Sequence, residues 1–333
     1  MQATKMKISD AACEDSIQQN LNQQAVKKER IEMVLPFVGF VFLIVFFTFM
    51  TKGRFIGNEN LQLLLKQCFT MVIVMAGAIF LYTMGSLDMA VGAVMSVSAL
   101  VLSVLYLNNV PLLVSLLAGT LLSVFFMVIV AIAKNYLHID PFIASLCVMN
   151  ICTGIVSMSA KKTRVVFPYS KATWLNEAST KIVVLVVVLA VGYILFNYTA
   201  FGKSLKAIGG NPKVARASGI RVNKVTILAY VVAGIAFGIA SLFDVVRGGI
   251  ADISVGGGMN LNVLVGLVLG GFPLQGGSRS RFSAPIIGAL MITALTNGLA
   301  LMGQANTLGY AIRGILLIVV VYLSYDKSGK LTT

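Results

Sequence analysis

Apolar residues in this chain do not alternate with polar ones. They run in blocks of about twenty, the length an α-helix needs to cross a hydrocarbon core of about 30 Å. On that ruler the sequence predicts about ten spans, at 31–50, 61–83, 89–107, 111–133, 141–160, 181–199, 225–246, 261–272, 284–302 and 308–324. The eighth is short and rich in glycine, and reads as a half-helix or as a helix that extends back towards Gly256. The pattern predicts an all-α polytopic membrane protein with one or more broken or half helices. Residues 1–30 read as a polar tail, 31–324 as a single transmembrane domain and 325–333 as a second tail.

The polar stretches carry the organisation. Between the sixth and seventh blocks lies an insert, 202–224, that holds Lys203, Lys206, Lys213, Arg216, Arg221 and Lys224 and no acid. Its middle reads as a short helix with both ends written in. Asn211 is placed to accept from the free N–H groups of the first turn, and Pro212 stands where its missing donor costs nothing. Gly219 supplies the left-handed residue that stops the helix. So short a helix does not persist alone in water and needs a partner surface. Two readings stand: a basic inner loop with an ordinary helical turn, or a docking helix for a cytoplasmic protein. In the second, Val214, Ala217 and Ser218 face a groove, while Lys213 and Arg216 lie one turn apart on another face.

Charge orients the spans. With the N-terminus inside, ten spans leave the C-terminus inside too. The inner side then holds both tails, Lys134, the 202–224 insert, Arg279 and Arg281, and the outer side holds fewer basic residues. That bias favours an N-in/C-in arrangement. The loop 161–181 runs against it with Lys161, Lys162, Arg164, Lys171 and Lys181; with Pro168, Tyr169 and Trp174 it reads as an external loop with interfacial aromatics.

Composition agrees with a membrane protein: 58% of residues are hydrophobic and 11% charged, against roughly a quarter charged in a soluble domain. The formal charge of +14 sits in short loops between apolar blocks, which argues against nucleic-acid binding. Cys13, Cys68, Cys147 and Cys152 form no CxxC pair, so free thiols are expected, with no disulfide and no metal site. No GxxxxGK[ST] phosphate loop occurs, and 276–281 lacks that spacing. No cofactor is expected.

Inside the apolar sequence, Gly85-Ser86-Leu87-Asp88-Met89-Ala90-Val91-Gly92 breaks the flow between the second and third spans, with Asp88 its only charge. A carboxylate at depth is costly and faces water, protein or a partner. Asp88 either caps the third span at the interface or lies in an unwound corner lining a solute path. Asp140 and Pro141 suit the N-cap and first position of the fifth span, His138 reads as interfacial, and Asp244 with Arg247 reads as a pair three residues apart. Gly234 with Gly238, and Gly266 with Gly270, are GxxxG spacings of close helix packing.

Taken in order, these patches resemble the permease subunits of ribose-type ABC importers, the family that also serves xylose, arabinose, galactose, autoinducer-2 and some nucleosides. The matching pieces are SLDMAVG within 85–92 (the family's G-x-DLSVG corner), PFIASLC at 141–147 (its PFIATLG), and 209–224 with Asn211, Ala215, Ser218, Gly219 and Ile220 in place. To these are added Gly270-Gly271-Phe272-Pro273-Leu274-Gln275-Gly276-Gly277 and Thr296-Asn297-Gly298-Leu299. The likeness covers about 60–324. It departs at Met259-Asn260-Leu261-Asn262, where the family commonly has an acid, at 276–283, and at Cys147 in place of a glycine.

The resemblance implies a non-catalytic subunit in a bacterial cytoplasmic (inner) membrane. It implies three partners: a cytoplasmic ATP-binding subunit, a second permease copy or homologue, and an extracellular or periplasmic solute-binding protein. Gly210, Asn211, Pro212, Ala215, Ser218 and Gly219 become the ATPase-coupling positions. Asp88, Gly92, Phe142 and Asn297 become expected path residues for a small neutral polar solute such as a monosaccharide. Two other classes remain. An ion-gradient carrier predicts acidic or histidine relays in the spans, where Asp88 and Asp244 are the candidates. An intramembrane enzyme needs a Ser/His pair, an HExxH or paired aspartates, and a chain with one His does not compel it.

Overall fold

The computed structural model describes residues 36–303 apart from 163–164, 169–172 and 274, together with 309, 311, 312, 314, 315 and 318. The two tails, residues 31–35 and almost all of the expected tenth span lie outside the described residues. The chain forms α1 (Pro36–Met50), α2 (Asn58–Thr83), α3 (Val91–Leu107), α4 (Leu112–Tyr136), α5 (Pro141–Lys162) and α6 (Ala178–Asn197). Two short helices follow, α7 (Ala200–Gly210) and α8 (Pro212–Ala217), and then α9 (Val222–Gly248), α10 (Met259–Leu269) and α11 (Ala284–Leu301). Among the described residues, extended pairing is limited to one isolated antiparallel bridge, Val166 with Ile250.

Each of the first nine expected blocks holds a helix. Six are long and apolar enough to cross a membrane: α2, α4, α5, α6, α9 and α11. The helices α1, α3 and α10 are apolar but shorter. Prolines stand where they help rather than break: Pro111 caps α4, and Pro141, Pro212 and Pro285 lie in the first turns of α5, α8 and α11.

The core is organised around α2 and α9, which run antiparallel. Phe69 meets Phe243 edge-on with ring centroids 4.8 Å apart, and Gly77 lies against Ala233 and Ala236. Burial separates centre from rim: 78% of the apolar window of α2 is inside the molecule, against 17% for α6. The outward row Ile182, Val183, Val186, Val187 and Val191 leaves α6 facing lipid or another chain.

Apolar surface alone gives helices little reason to associate in lipid; close packing and interhelical hydrogen bonds do. Here α9 docks on α4 through the two glycines of its GxxxG spacing. A Cβ on Gly234 would fall 2.8 Å from the Val124 Cα, and one on Gly238 would fall 2.7 Å from the Thr120 Cα. Ser123 donates to the Gly234 carbonyl at 2.8 Å, and Ser241 donates to Ser98 at 3.0 Å. The second GxxxG also packs: Gly266 and Gly270 seat α10 on Ala284 and Gly288 of α11, forming a hairpin.

Gly238→Leu is expected to push α4 from α9. Overpacking of this kind costs roughly 1–3 kcal/mol, read as a lower midpoint of thermal unfolding in detergent, whereas Gly154→Leu on the open side of α5 should leave the midpoint near the wild-type value.

Candidate functional site

Two regions carry the residues singled out in the sequence. The first is the basic insert, which is two helices rather than one. Thr199 caps α7 by accepting from the Gly202 N–H at 3.3 Å. One side of α7 buries Leu205 and Ile208, and Phe201 stacks on Phe80 of α2 with centroids 5.8 Å apart. Lys206 lies 4.5 Å over the Phe196 ring, and its partial burial draws its pKa below the ordinary lysine value.

α7 ends in extended backbone at Asn211, and α8 starts there. The Asn211 side chain accepts from the N–H groups of Lys213 (3.0 Å) and Val214 (3.3 Å), with Pro212 at the first helical position. At the other end Gly219 has φ +82 and donates to the Arg216 carbonyl at 3.1 Å, while Ile220 donates to Ala215 at 3.1 Å. Both ends are therefore as the residues predict. Of the coupling positions, Ala215 is buried against the body, and Gly210, Asn211, Pro212, Ser218 and Gly219 are exposed. Val214 is also exposed, and Pro212, Lys213, Arg216 and Ala217 border an open depression.

The second region is broken backbone. Residues 84–90 are non-helical, as is most of 249–258, and α10 has only 11 residues, a rise of about 16 Å, or half a hydrocarbon core. Three contacts hold these pieces against α3 and α5. The Met89 N–H donates to Ser145 of α5 at 3.0 Å. Ser96 donates to the Val255 carbonyl at 2.5 Å, beside a backbone-to-backbone contact of Gly92 with Gly256. Asn260 reaches the Met149 sulfur at 3.9 Å. Phe142, Cys147 and Asn150 of α5, and Ser254 and Gly257, are exposed.

The four expected path residues are distributed differently from one another. Asp88 is fully buried: its Oδ1 accepts from the N–H of Ala90, the N-cap residue of α3, at 2.8 Å, closing a turn just ahead of the helix inside the protein. Its Oδ2 has no hydrogen-bond partner among the described residues. The Tyr82 hydroxyl donates to the Asp88 carbonyl at 3.3 Å, and Lys134 of α4 donates to the neighbouring Ser86. Gly92 lies in the backbone contact just described. Phe142 is exposed at the start of α5, where Asp140 caps the helix through the Phe142 N–H at 2.8 Å. Asn297 is buried on α11 and accepts from Asn60 at 2.9 Å, whose amide also reaches the Phe55 carbonyl. Asp88, Gly92 and Phe142 thus border one junction, and Asn297 braces the first turn of α2.

Sequence reasoning paired Asp244 with Arg247, and they meet at 2.5 Å. It did not foresee that the second Asp244 oxygen accepts from the Gly256 N–H at 2.9 Å. That bond folds 249–258 back against the helix it has just left. Residues 165–167 close over the same place: Phe167 donates to Gly249 and Ala251 to Val165, each at 2.9 Å, and Tyr106 stacks on the buried Phe167 ring. The available signal was a lone acid near a span end followed by glycines. Among the described residues no group of three metal-ligating side chains occurs.

A multi-pass helical bundle with a half-helix, re-entrant backbone and a capped helix projecting on a short stalk has the organisation of a transport permease. The chain belongs to the family described as branched-chain amino acid transport system / permease component, which it matches over residues 60–321. Relatives include the ribose import permease of Bacillus subtilis (strain 168), 26% identical over 88% of this chain and 92% of the relative. The ribose import permease of Escherichia coli (strain K12) is 24% identical over 82% and 88%. The L-arabinose ABC transporter permease of Azospirillum brasilense is 25% identical over 87% of each. These findings bear out the resemblance drawn from the motifs. No solved structure matches.

Replacing Asp244 with Ala leaves the Gly256 N–H without its acceptor. A loss of roughly 1–3 kcal/mol is expected for such an orphaned buried group, read as lower thermal stability and faster amide exchange across 249–258. Unchanged exchange there would show that the Ser96 and Gly92 contacts hold the segment without Asp244.

Proposed function

We propose that this chain is the membrane-spanning subunit of a binding-protein-dependent ABC importer in a bacterial cytoplasmic membrane, carrying a small neutral polar solute of the monosaccharide class. The observation that carries the reading is α8, a six-residue helix fully capped yet exposed on most of its surface. Such a helix is maintained by its caps and its single buried residue, Ala215, and its exposed side is free to enter the groove of an ATP-binding subunit. Six nearby positive charges favour the inner side of the membrane, and with it an N-in arrangement.

In this reading two copies, or this chain and a homologue, enclose the path, and a solute-binding protein delivers the solute from outside. ATP hydrolysis belongs to the partner. It moves this chain only to the extent that α8 binds the open and closed ATPase with different affinity, since equal affinity shifts no population. The junction of 84–90, the start of α5 and 249–260 is the proposed path wall, because irregular backbone at membrane depth survives where it is buried or lines a water-filled space. Asp88 and Phe142 border it. The solute class is supported by relatives named for ribose and L-arabinose.

Asn211→Ala removes the α8 cap, worth about 1 kcal/mol, and Gly219→Val places a β-branched residue at positive φ, a strain of roughly 1–2 kcal/mol. Both variants are expected to insert normally but to lose the ATP-binding subunit on co-purification in mild detergent and to lose ATP-driven uptake. Wild-type uptake by both would overturn the coupling assignment. A chain that purifies alone and transports in liposomes without ATP would make it a carrier.

A further inference from the structure

Between α8 and the proposed path lies one place where three distant parts of the chain touch through main chain alone. Gly209, in the last turn of α7, sits on the carbonyl oxygen of Thr83, the last residue of α2. A Cβ there would overlap that oxygen and fall 2.6 Å from the Gly277 nitrogen. The Gly277 N–H in turn donates to the same Thr83 oxygen at 2.9 Å. Gly276 closes the third side: a Cβ on it would lie 2.5 Å from the Tyr82 carbonyl oxygen and overlap that of Thr83. Gly276 and Gly277 have φ of +70 and +86, so the backbone requires glycine at both, and at Gly276 the space requires it too.

The position of this contact gives it mechanical meaning. α8 begins three residues beyond Gly209, through the extended Asn211. Asp88 lies five residues beyond Thr83, on a segment tied to α4 by Lys134 and Ser86 and to α5 by Met89 and Ser145. The stacking of Phe201 on Phe80 holds α7 along α2 over the preceding turns. Side-chain contacts can slip by changing rotamer; backbone against backbone without Cβ atoms has no such freedom. A displacement of α8 along this route therefore carries the end of α2 with it.

We propose that Gly209, the Thr83 carbonyl and Gly277 form the joint that transmits movement of α8 to the segment holding Asp88, with Gly276 keeping it closed. These are positioning residues, and their role rests on the reading of α8 as the coupling helix.

The test uses the complete importer, this chain with its ATP-binding and solute-binding subunits, reconstituted in liposomes. Spin labels go on cysteines introduced at Val214 on α8, at Leu87 on the Asp88 segment and at Leu107 at the far end of α3, all in a background lacking Cys13 and Cys147. Between the nucleotide-free and ATP-trapped states, the 214–107 and 87–107 distances are expected to change together while 214–87 stays constant within about the width of a rotamer change. Movement of 214 without 87, or no movement of either, overturns the joint.

Gly209→Ala and Gly276→Ala supply the functional arm. The ATP-binding subunit should still co-purify and hydrolyse ATP at its basal rate, while uptake of solute per ATP falls at least tenfold; Gly154→Ala, which meets open space, should match wild type. Undiminished uptake per ATP in both joint variants also overturns the proposal. Should either variant fail to fold, the label distances in the otherwise native chain decide alone. Failure of the ATP-binding subunit to associate with the wild-type chain is a different result, and removes the coupling reading itself.

Discussion

Backbone polar groups have no water to turn to in hydrocarbon, and the architecture of this protein follows from how it meets that constraint. Regular helices satisfy their own groups, so the informative places are where the helices stop short. At the end of α2 the buried Thr83 carbonyl, left without a helical partner, is taken by the Gly277 N–H. In the re-entrant segment the Gly256 N–H is taken by Asp244, and the Val255 carbonyl by Ser96. At the start of α3 the Ala90 N–H is taken by Asp88. Three of these four partners are short polar side chains that a hydropathy plot would count only as blemishes in an apolar run.

The same solutions position the functional regions. Two of these bonds, Gly277 to Thr83 and Ser96 to Val255, also tie segments distant in sequence, and with Met89 on Ser145 and Asn260 on Met149 they bring 84–90 and 249–260 against α3 and α5. A continuous-helix bundle would be easier to satisfy and would have no irregular wall. Small residues serve a related purpose between the long helices: Gly234 and Gly238 let α9 approach α4 closely enough for Ser123 to hydrogen-bond the Gly234 carbonyl across the seam.

Local features of the chain were legible from sequence because their physics is local. The caps of α8 need only Asn211, Pro212 and Gly219 at the right spacing, and the helical blocks need only length and apolarity. The Asp244–Arg247 pair and both GxxxG seams were readable for the same reason. What sequence left out is pairing across the fold. Nothing local to Asn297 announces its partner, Asn60, which it meets across α2 and α11. Nothing local to Asp88 announces that its segment is tied to α5 through Met89 and Ser145. The insert read as one helix with a loop before it because nothing local announces that α7 lies along α2; that follows from Phe201 meeting Phe80.

The brevity of α10 has a consequence for how the molecule is made. A segment of 11 apolar residues cannot be handed to the bilayer as a helix in its own right, because its first turn would be left in mid-membrane with free N–H groups. It has to enter with α11, against which Gly266 and Gly288 seat it, into a site already shaped by α2, α3 and α9. Biogenesis therefore has an order: the part synthesised early serves as the template, and the hairpin is a late arrival whose insertion completes the domain.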